Sequence, residues 1–302
     1  MKFSRKKVSN RLPASVGSRI FDVVVHIILI LLALVMLYPL WYVVIVSLSH
    51  GLDVMQGKVL LLPKRVSLLS YQMVFENKQV LVGFKNSFIY TVLGTTISLV
   101  MTTLCAYPLS RPNFYGRKTV MKLVVFTMYF SGGMIPAYLL VLKLKMMDTI
   151  WAVLLPNAIT TYYVILMRTY FEGISEAIFD AAKIDGASEP RILTNIVIPM
   201  SKPIFAMMVL YYALDQWNSF FNALMYMNSK SRYPIQMVIR SMVVEGNLGA
   251  QAAIKGSTIG FAATDMTIKY ALITLTIIPI LLIYPLVQRY FVNGVAIGAV
   301  KE

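Results

Sequence analysis

From Val23 to Val46 the sequence reads VVVHIILILLALVMLYPLWYVVIV, with no Asp, Glu, Lys or Arg in it. About 20 predominantly apolar residues suffice to cross the hydrocarbon core of a bilayer as a helix. Inside that core only a helix or a closed barrel satisfies the backbone's own hydrogen bonds. Comparable apolar runs follow at Asn86–Leu109, Val120–Leu142, Thr149–Met167, Pro203–Met227 and Tyr270–Val292. The pattern predicts an all-α polytopic membrane protein with six transmembrane helices. Composition agrees: 14% of residues are charged, against about a quarter in a soluble domain. Six crossings put both termini on one side. Lys2, Arg5, Lys6, Lys7, Arg11 and Arg19 precede the first run without an acid among them, which makes that side cytoplasmic. The net charge of +15 is spread through short loops. That distribution belongs to topology and lipid headgroups, not to a nucleic-acid face. The organisation expected is a basic arm over 1–19, a membrane domain over 20–292 with one large inner loop over 172–202, and a cytoplasmic tail over 293–302.

The runs are not uniform. The second carries Gly94, Thr95, Thr96, Ser98, Thr102 and Thr103, small and hydroxylated residues that let helices approach closely. The third is interrupted by Ser131-Gly132-Gly133 and Pro136, the fourth by Pro156 and Asn157, the sixth by Pro279 and Pro285. Arg111, Arg117, Lys118 and Lys122 form a basic turn that reads as an inner-side marker. In the fifth run Asp215, Gln216, Trp217, Asn218, Ser219 and Asn222 make a polar patch at mid-depth. An acid there is costly and faces a bundle interior or water. The patch suits a sugar: Trp217 for stacking, Gln216, Asn218 and Asn222 as donors and acceptors, and Asp215 as an acceptor for hydroxyls. Helical spacing puts Asp215, Ser219 and Asn222 on one face with Asn218 beside them, and points Trp217 elsewhere. Tyr129 and Tyr138, near the Gly-Gly break, are further candidates for the pathway.

Between the fourth and fifth runs stands the one long polar stretch, SEAIFDAAKIDGASEPRILTNIVIPMSKP, from Ser175 to Pro203. It reads as two short helices around Gly186. Ser175 and Ser188 stand where N-caps belong, Glu176 and Glu189 follow in the first turns, and Pro190 sits where a missing N–H is harmless. Gly186 suits a left-handed residue ending the first helix. Ile178, Ala181, Ala182 and Asp185 fall at i, i+3, i+4 and i+7, which puts a small, smooth face on one side. Such a knob between two spans is expected to be a docking surface.

Its spacing carries a resemblance. Asp180-Ala181-Ala182, three residues, Gly186, nine residues, then Ile196-Val197-Ile198-Pro199 resembles the EAA loop of ABC-importer permeases, with Asp180 in place of Glu and Ile198 in place of Leu. Asp185-Gly186-Ala187 is similar to the carbohydrate branch, the second permease of maltose-type systems. Asn86-Ser87-Phe88-Ile89-Tyr90-Thr91, Ala106-Tyr107-Pro108-Leu109-Ser110-Arg111, Ser131 to Pro136, Trp217-Asn218-Ser219-Phe220-Phe221 and the tail from Gly294 to Lys301 are similar to the LplC/YtcP-like oligosaccharide group. The resemblance implies the type I ABC-importer permease fold. It also implies a place in a bacterial plasma membrane and a heterodimer with a second permease. Two cytoplasmic ATPase subunits and an extracellular sugar-binding protein would complete the assembly. It assigns Asp180, Ala181, Ala182, Asp185, Gly186, Ile196 and Pro199 to ATPase coupling, with the tail as a second contact.

The chain has no G-x-x-x-x-G-K-[ST] phosphate loop. ATP and Mg are therefore expected in partner subunits, with no cofactor in this chain and no enzymatic activity of its own. Cys105 is the only cysteine, and His26 and His50 lie far apart, so neither a disulfide nor a Cys/His metal site is expected. Two other readings compete with sugar import. One is an ABC permease for an amino acid, phosphate or metal. The other is a self-contained secondary transporter or membrane enzyme, which needs an ion-coupling acid with a partner inside the spans.

Overall fold

The computed structural model describes residues 16–245 and 264–299. Among the described residues nearly everything is helical, and a single antiparallel bridge, Ser49 with Val66, is all the β pairing. The first run forms α1 (Val16–Ser47), continuous through Pro39. Its flank from Ile20 to Trp41 is almost wholly exposed, as a helix that is apolar all round must be where lipid is its solvent. Short α2 (Gly51–Met55) and α3 (Leu69–Glu76) follow.

The second run becomes α4 (Lys78–Ser110), which begins eight residues before the apolar run. Asn77 sets that start: its Oδ1 accepts from the N–H groups of Gln79 and Val80, satisfying donors that a helix start leaves free. The third run breaks into α5 (Arg117–Tyr129) and α6 (Met134–Lys143), bent by 112°. Gly133 at φ +85° lies at the break, a conformation that favours glycine. The fourth splits at Pro156 and Asn157 into α7 (Ile150–Leu154) and α8 (Thr161–Glu172). The polar stretch forms α9 (Glu176–Ile184) and α10 (Glu189–Met200), and the fifth run forms α11 (Lys202–Asn218) and α12 (Phe221–Tyr226).

The segment between the fifth and sixth apolar runs holds a further helix, α13 (Ile235–Glu245), and the start of α14 (Asp265–Ala299). The sixth run therefore starts earlier than predicted, and helix continues through most of the predicted tail. The Gly-containing stretch from Gly246 to Gly260 and the arm before residue 16 lie outside the described residues. Among the described residues three helices are long and apolar enough to cross a membrane, and up to five spans result if each bent pair counts as one. The fourth run, cut by Pro156, yields two pieces too short to count.

Packing follows the small residues. Gly94, Thr95, Ser98, Thr102 and Thr103 are buried along α4, which runs against α11 and α8. A Cβ at Gly94 would lie 2.6 Å from Gln216 Cδ, so the Gln216 side chain packs into the space that glycine leaves. The largest core cluster gathers Tyr107 and Leu109 of α4, Met167 and Phe171 of α8, Phe179 and Ala182 of α9, Ile192 and Val197 of α10, and Met208 and Tyr212 of α11. The polar knob thus stands on this apolar cluster.

Candidate functional site

The knob is shaped by its glycine. Gly186 has φ +74°. The N–H of Ala187 bonds the carbonyl of Ala182 at 2.9 Å, and the N–H of Gly186 bonds that of Lys183 at 3.0 Å. These two bonds are the Schellman ending of a helix. A Cβ at Gly186 would meet nothing within 4 Å, so the backbone conformation, not space, is what selects glycine. Ser175 and Ser188 occupy the N-cap positions, but neither side chain makes a capping hydrogen bond. A π turn over Leu193–Val197 widens α10 just before Pro199, the residue with no N–H to offer the carbonyl four positions back.

Burial divides the predicted docking face. Ala182 belongs with Phe179 on the inward stripe, at three residues' spacing, and both are buried. Ile178 is half-buried against the same core. Ala182 is therefore unavailable to a partner. The outward stripe is Asp180, Ala181, Ile184 and Asp185, all exposed. Ile184 is 86% exposed, a large apolar side chain presented at the tip of a charged loop. Ile196 is half-buried in the widened turn, and Pro199 is exposed.

Arg111 marks more than topology. It is 9% exposed. Its Nη2 donates to the Phe171 carbonyl at 2.7 Å, and its Nε donates to Ser110 Oγ at 3.0 Å. Its guanidinium carbon lies 3.7 Å from the Phe179 ring centroid and 5.8 Å from that of Tyr107. Burial pushes its pKa down, and Glu176 is first among the charges that push it back up. Tyr107 in turn donates to Glu189 Oε2 at 2.6 Å. Beside them Arg117 and Arg168 both engage Glu172.

The second candidate region is the face of α11. Asp215 and Asn218 are exposed. With Asn157, Leu214, Ser219, Phe220, Phe221 and Asn222 they line an open concavity of about 310 Å³. The Tyr163 hydroxyl donates to Asp215 Oδ2 at 2.9 Å, so the acid has a partner on α8 that sequence spacing did not reveal. Among these residues there is no countercharge.

Four predicted pathway residues, Gln216, Trp217, Tyr129 and Tyr138, lie outside that concavity. Trp217 is buried, donates through Nε1 to the Thr276 carbonyl at 3.1 Å and packs beside Phe84. Its ring belongs to the α11–α14 seam and is not free to stack on a sugar. Gln216 is buried against Gly94. Asn222 is buried as well, and its Nδ2 donates to the Val153 carbonyl at 3.1 Å. The helix ends at Asn218 and Ser219 is extended. Asp215, Ser219 and Asn222 therefore meet in one concavity without continuing one helical face. Tyr129 is exposed at the end of α5, and Tyr138 stacks on Tyr226. Asn157, which lines the concavity, and Tyr163, which donates to Asp215, are the residues that sequence reasoning missed. A larger concavity, about 1060 Å³, lies beside α5 and is lined by Tyr115, Lys118, Lys122 and Phe126 among others. Its lining is mostly apolar with basic heads, which is poorly matched to sugar hydroxyls.

Across the molecule from the knob, Asp148 ties two loops. Its carboxylate accepts from the N–H of Asn228 at 3.1 Å, the N–H of Ser229 at 3.0 Å and the Ser229 hydroxyl at 2.6 Å. Arg232 stands 3.5 Å away. The Ser229 bonds first, and Arg232 last, hold its pKa below the ordinary aspartate value.

A helical bundle of broken apolar segments, an exposed knob seated on its core and a polar concavity at mid-run define a membrane transport component. The chain belongs to the family of binding-protein-dependent transport system inner membrane components, whose model matches residues 94–297. It is 36% identical over 284 residues to the polygalacturonan/rhamnogalacturonan transport system permease protein YtcP of Bacillus subtilis, covering 94% of this chain and 99% of that one. It is 37% identical over 286 residues to Protein LplC of the same organism, covering 94% and 96%. Among solved structures, a bacterial ABC transporter involved in the import of the acidic polysaccharide alginate superposes with a TM-score of 0.88 at 34% identity. That match covers 93% of this chain and 100% of the other.

Proposed function

We propose that this chain is a permease subunit of an ATP-driven importer of a sugar or oligosaccharide, contributing half of the pathway and docking on a separate ATPase through the 175–203 knob. The observation that carries the docking reading is the knob itself. Its inward stripe is fixed in the core, its Gly186 bend is closed by two backbone bonds, and its outward stripe ends in the exposed Ile184. An exposed apolar side chain on a rigid, charged loop is the profile of an interface anchor. In this reading Asp180, Ala181, Ile184 and Asp185 meet the ATPase, while Ala182, Gly186, Ile196 and Pro199 hold their shape. ATP and Mg act on the partner subunits, a second permease completes the pathway, and a binding protein delivers substrate on the side away from the knob. The chain crosses six times, with the fourth and fifth crossings broken, and both termini lie with the knob on the cytoplasmic side.

The carbohydrate class is supported by the named substrates of the relatives and by the concavity, where Asn157, Asp215 and Asn218 offer hydrogen bonds beside Phe220 and Phe221. Polar groups set next to aromatic faces suit a sugar ring. The test is purification with the co-expressed partners, reconstitution in vesicles, and measurement of ATP hydrolysis and uptake against an oligosaccharide panel with the binding protein present. Stimulation by one sugar class is expected. Stimulation by an amino acid, phosphate or metal alone would move the assignment to the non-sugar ABC permeases, and uptake without ATP would overturn it.

A further inference from the structure

We propose that Arg111 is the pin through which movement of the knob reaches the spans, a positioning role that rests on the docking reading above. Three elements meet on this one guanidinium. Ser110 Oγ at the end of α4 and the Phe171 carbonyl at the end of α8 hold two of its nitrogens. From the knob, the Phe179 ring lies beneath its guanidinium carbon, 3.7 Å from centroid to carbon. Apart from the Tyr107–Glu189 hydrogen bond, the rest of the knob's seat, Ala182, Ile192 and Val197 against the bundle, is apolar. Apolar contact is non-directional and tolerates sliding, whereas a planar, fully charged fork held on a ring face does not.

The third nitrogen makes the pin responsive. Nη1 is buried and has no hydrogen-bond partner. The nearest carboxylate is Glu176 Oε1 in the first turn of α9, 3.7 Å away. A buried donor without a bond is costly. A shift of α9 by about 1 Å toward Arg111 would bring that pair into hydrogen-bonding range, and a shift away would lose it. The pin thus has two arrangements that a load on the knob selects. From Arg111 the path onward is continuous. Tyr107, one turn earlier in α4, bonds Glu189 of α10. Further along α4, Thr102 meets the Tyr212 hydroxyl and Gly94 meets Gln216. Both partners are on α11, the helix that carries Asp215. A chain of packed and hydrogen-bonded groups with two discrete arrangements is the physical requirement for coupling between distant sites.

The test uses the whole reconstituted complex and reads ATP hydrolysed per sugar imported. Arg111→Lys keeps the charge but loses the fork and the ring contact. We expect its hydrolysis to stay within about twofold of wild type while uptake falls about tenfold, inside the range of typical coupling. Phe179→Leu keeps an apolar side chain in the core and removes only the ring face. It should raise the same ratio, less strongly, and it decides the matter if Arg111→Lys does not assemble. Hydrolysis and uptake falling together in well-assembled variants would show plain structural damage and overturn the pin. So would an unchanged ratio in both variants. A wild-type complex that never couples hydrolysis to sugar uptake fails the underlying docking reading instead, and takes the pin with it.

Discussion

The knob end and the α11 face are both polar breaks in an apolar chain, yet they are built in opposite ways. At the knob, polar groups sit on a closed apolar core and are tied down: Arg111 to Phe171 and Ser110, Tyr107 to Glu189, and Gly186 by its backbone bonds. Only one stripe is left outward. On α11 the arrangement is open. Asp215 has one hydroxyl partner, Asn218 bonds only its own helix at Leu214, and the concavity they line faces out of the subunit. In the proposed reading, the surface that transmits force is finished within its own chain, and the surface that passes a substrate is left for a second subunit to complete. That contrast predicts that substitutions at the knob act through rigidity and substitutions on α11 through chemistry.

The sharpest way to break the contrast is Gly186→Pro. Proline's φ near −65° cannot adopt the +74° found here, and an incompatible proline costs about 3 kcal/mol or more. Uptake in vesicles should fall at least about 100-fold, with membrane insertion retained. Uptake near wild type would mean that the bend does not matter. Ile184→Asp tests the outward stripe alone, because its side chain is exposed and supports nothing beneath it. Loss of an interface anchor costs about 2 kcal/mol or more, so co-purification of the ATPase should weaken about 30-fold while the permease itself keeps its melting temperature. A drop in melting temperature without loss of the ATPase would reverse the roles assigned to the two stripes.

On the open face the expected effects are smaller and chemical. Asp215→Asn removes a charged acceptor, worth about 1.5–3 kcal/mol in hydrogen bonds to a ligand. The KM for sugar uptake should rise about tenfold or more, measured in the reconstituted complex. Trp217→Phe separates the sequence reading from the structure. If Trp217 stacked on sugar, KM would rise. With its Nε1 on the Thr276 carbonyl, the expected result is a loss of about 1 kcal/mol of stability, read as a lower melting temperature at unchanged KM.

The same contrast explains how much was legible in the sequence. Apolar runs and glycine breaks are local, and they place the long helices of the first and second runs, the 112° break beside Gly133 and the left-handed Gly186. What failed depended on neighbours. Ala181 and Ala182 are equivalent in a pattern of small residues, and only the docking of Phe179 into the core decides which one turns inward. Trp217 and Asn218 are adjacent in sequence, but α14 and Phe84 claim the first and leave the second bare. Arg111 looked like its neighbours Arg117 and Lys118 in a basic turn. Its burial comes from the ends of α8 and α9, which lie about 60 residues away in sequence.

The Asp148 clamp supplies the mildest test, because it resembles the knob in being tied down but holds a loop between helices. Its carboxylate is favoured in the folded state by Ser229, the Asn228 N–H and Arg232, so its pKa lies below the ordinary value. The sign follows. Stability from this clamp is fully present above the unfolded aspartate pKa of about 3.9 and disappears as pH falls through the lower, folded value. Between pH 7 and 5 the 228–235 segment should therefore exchange its amides at a constant protection factor, and protection should drop only in stronger acid. Asp148→Asn carries no charge to titrate. It should show weaker protection at pH 7 and lose the acid step. If the variant keeps the same acid step, another group holds this loop, and the tie between residues 148 and 229 is a contact without energetic weight.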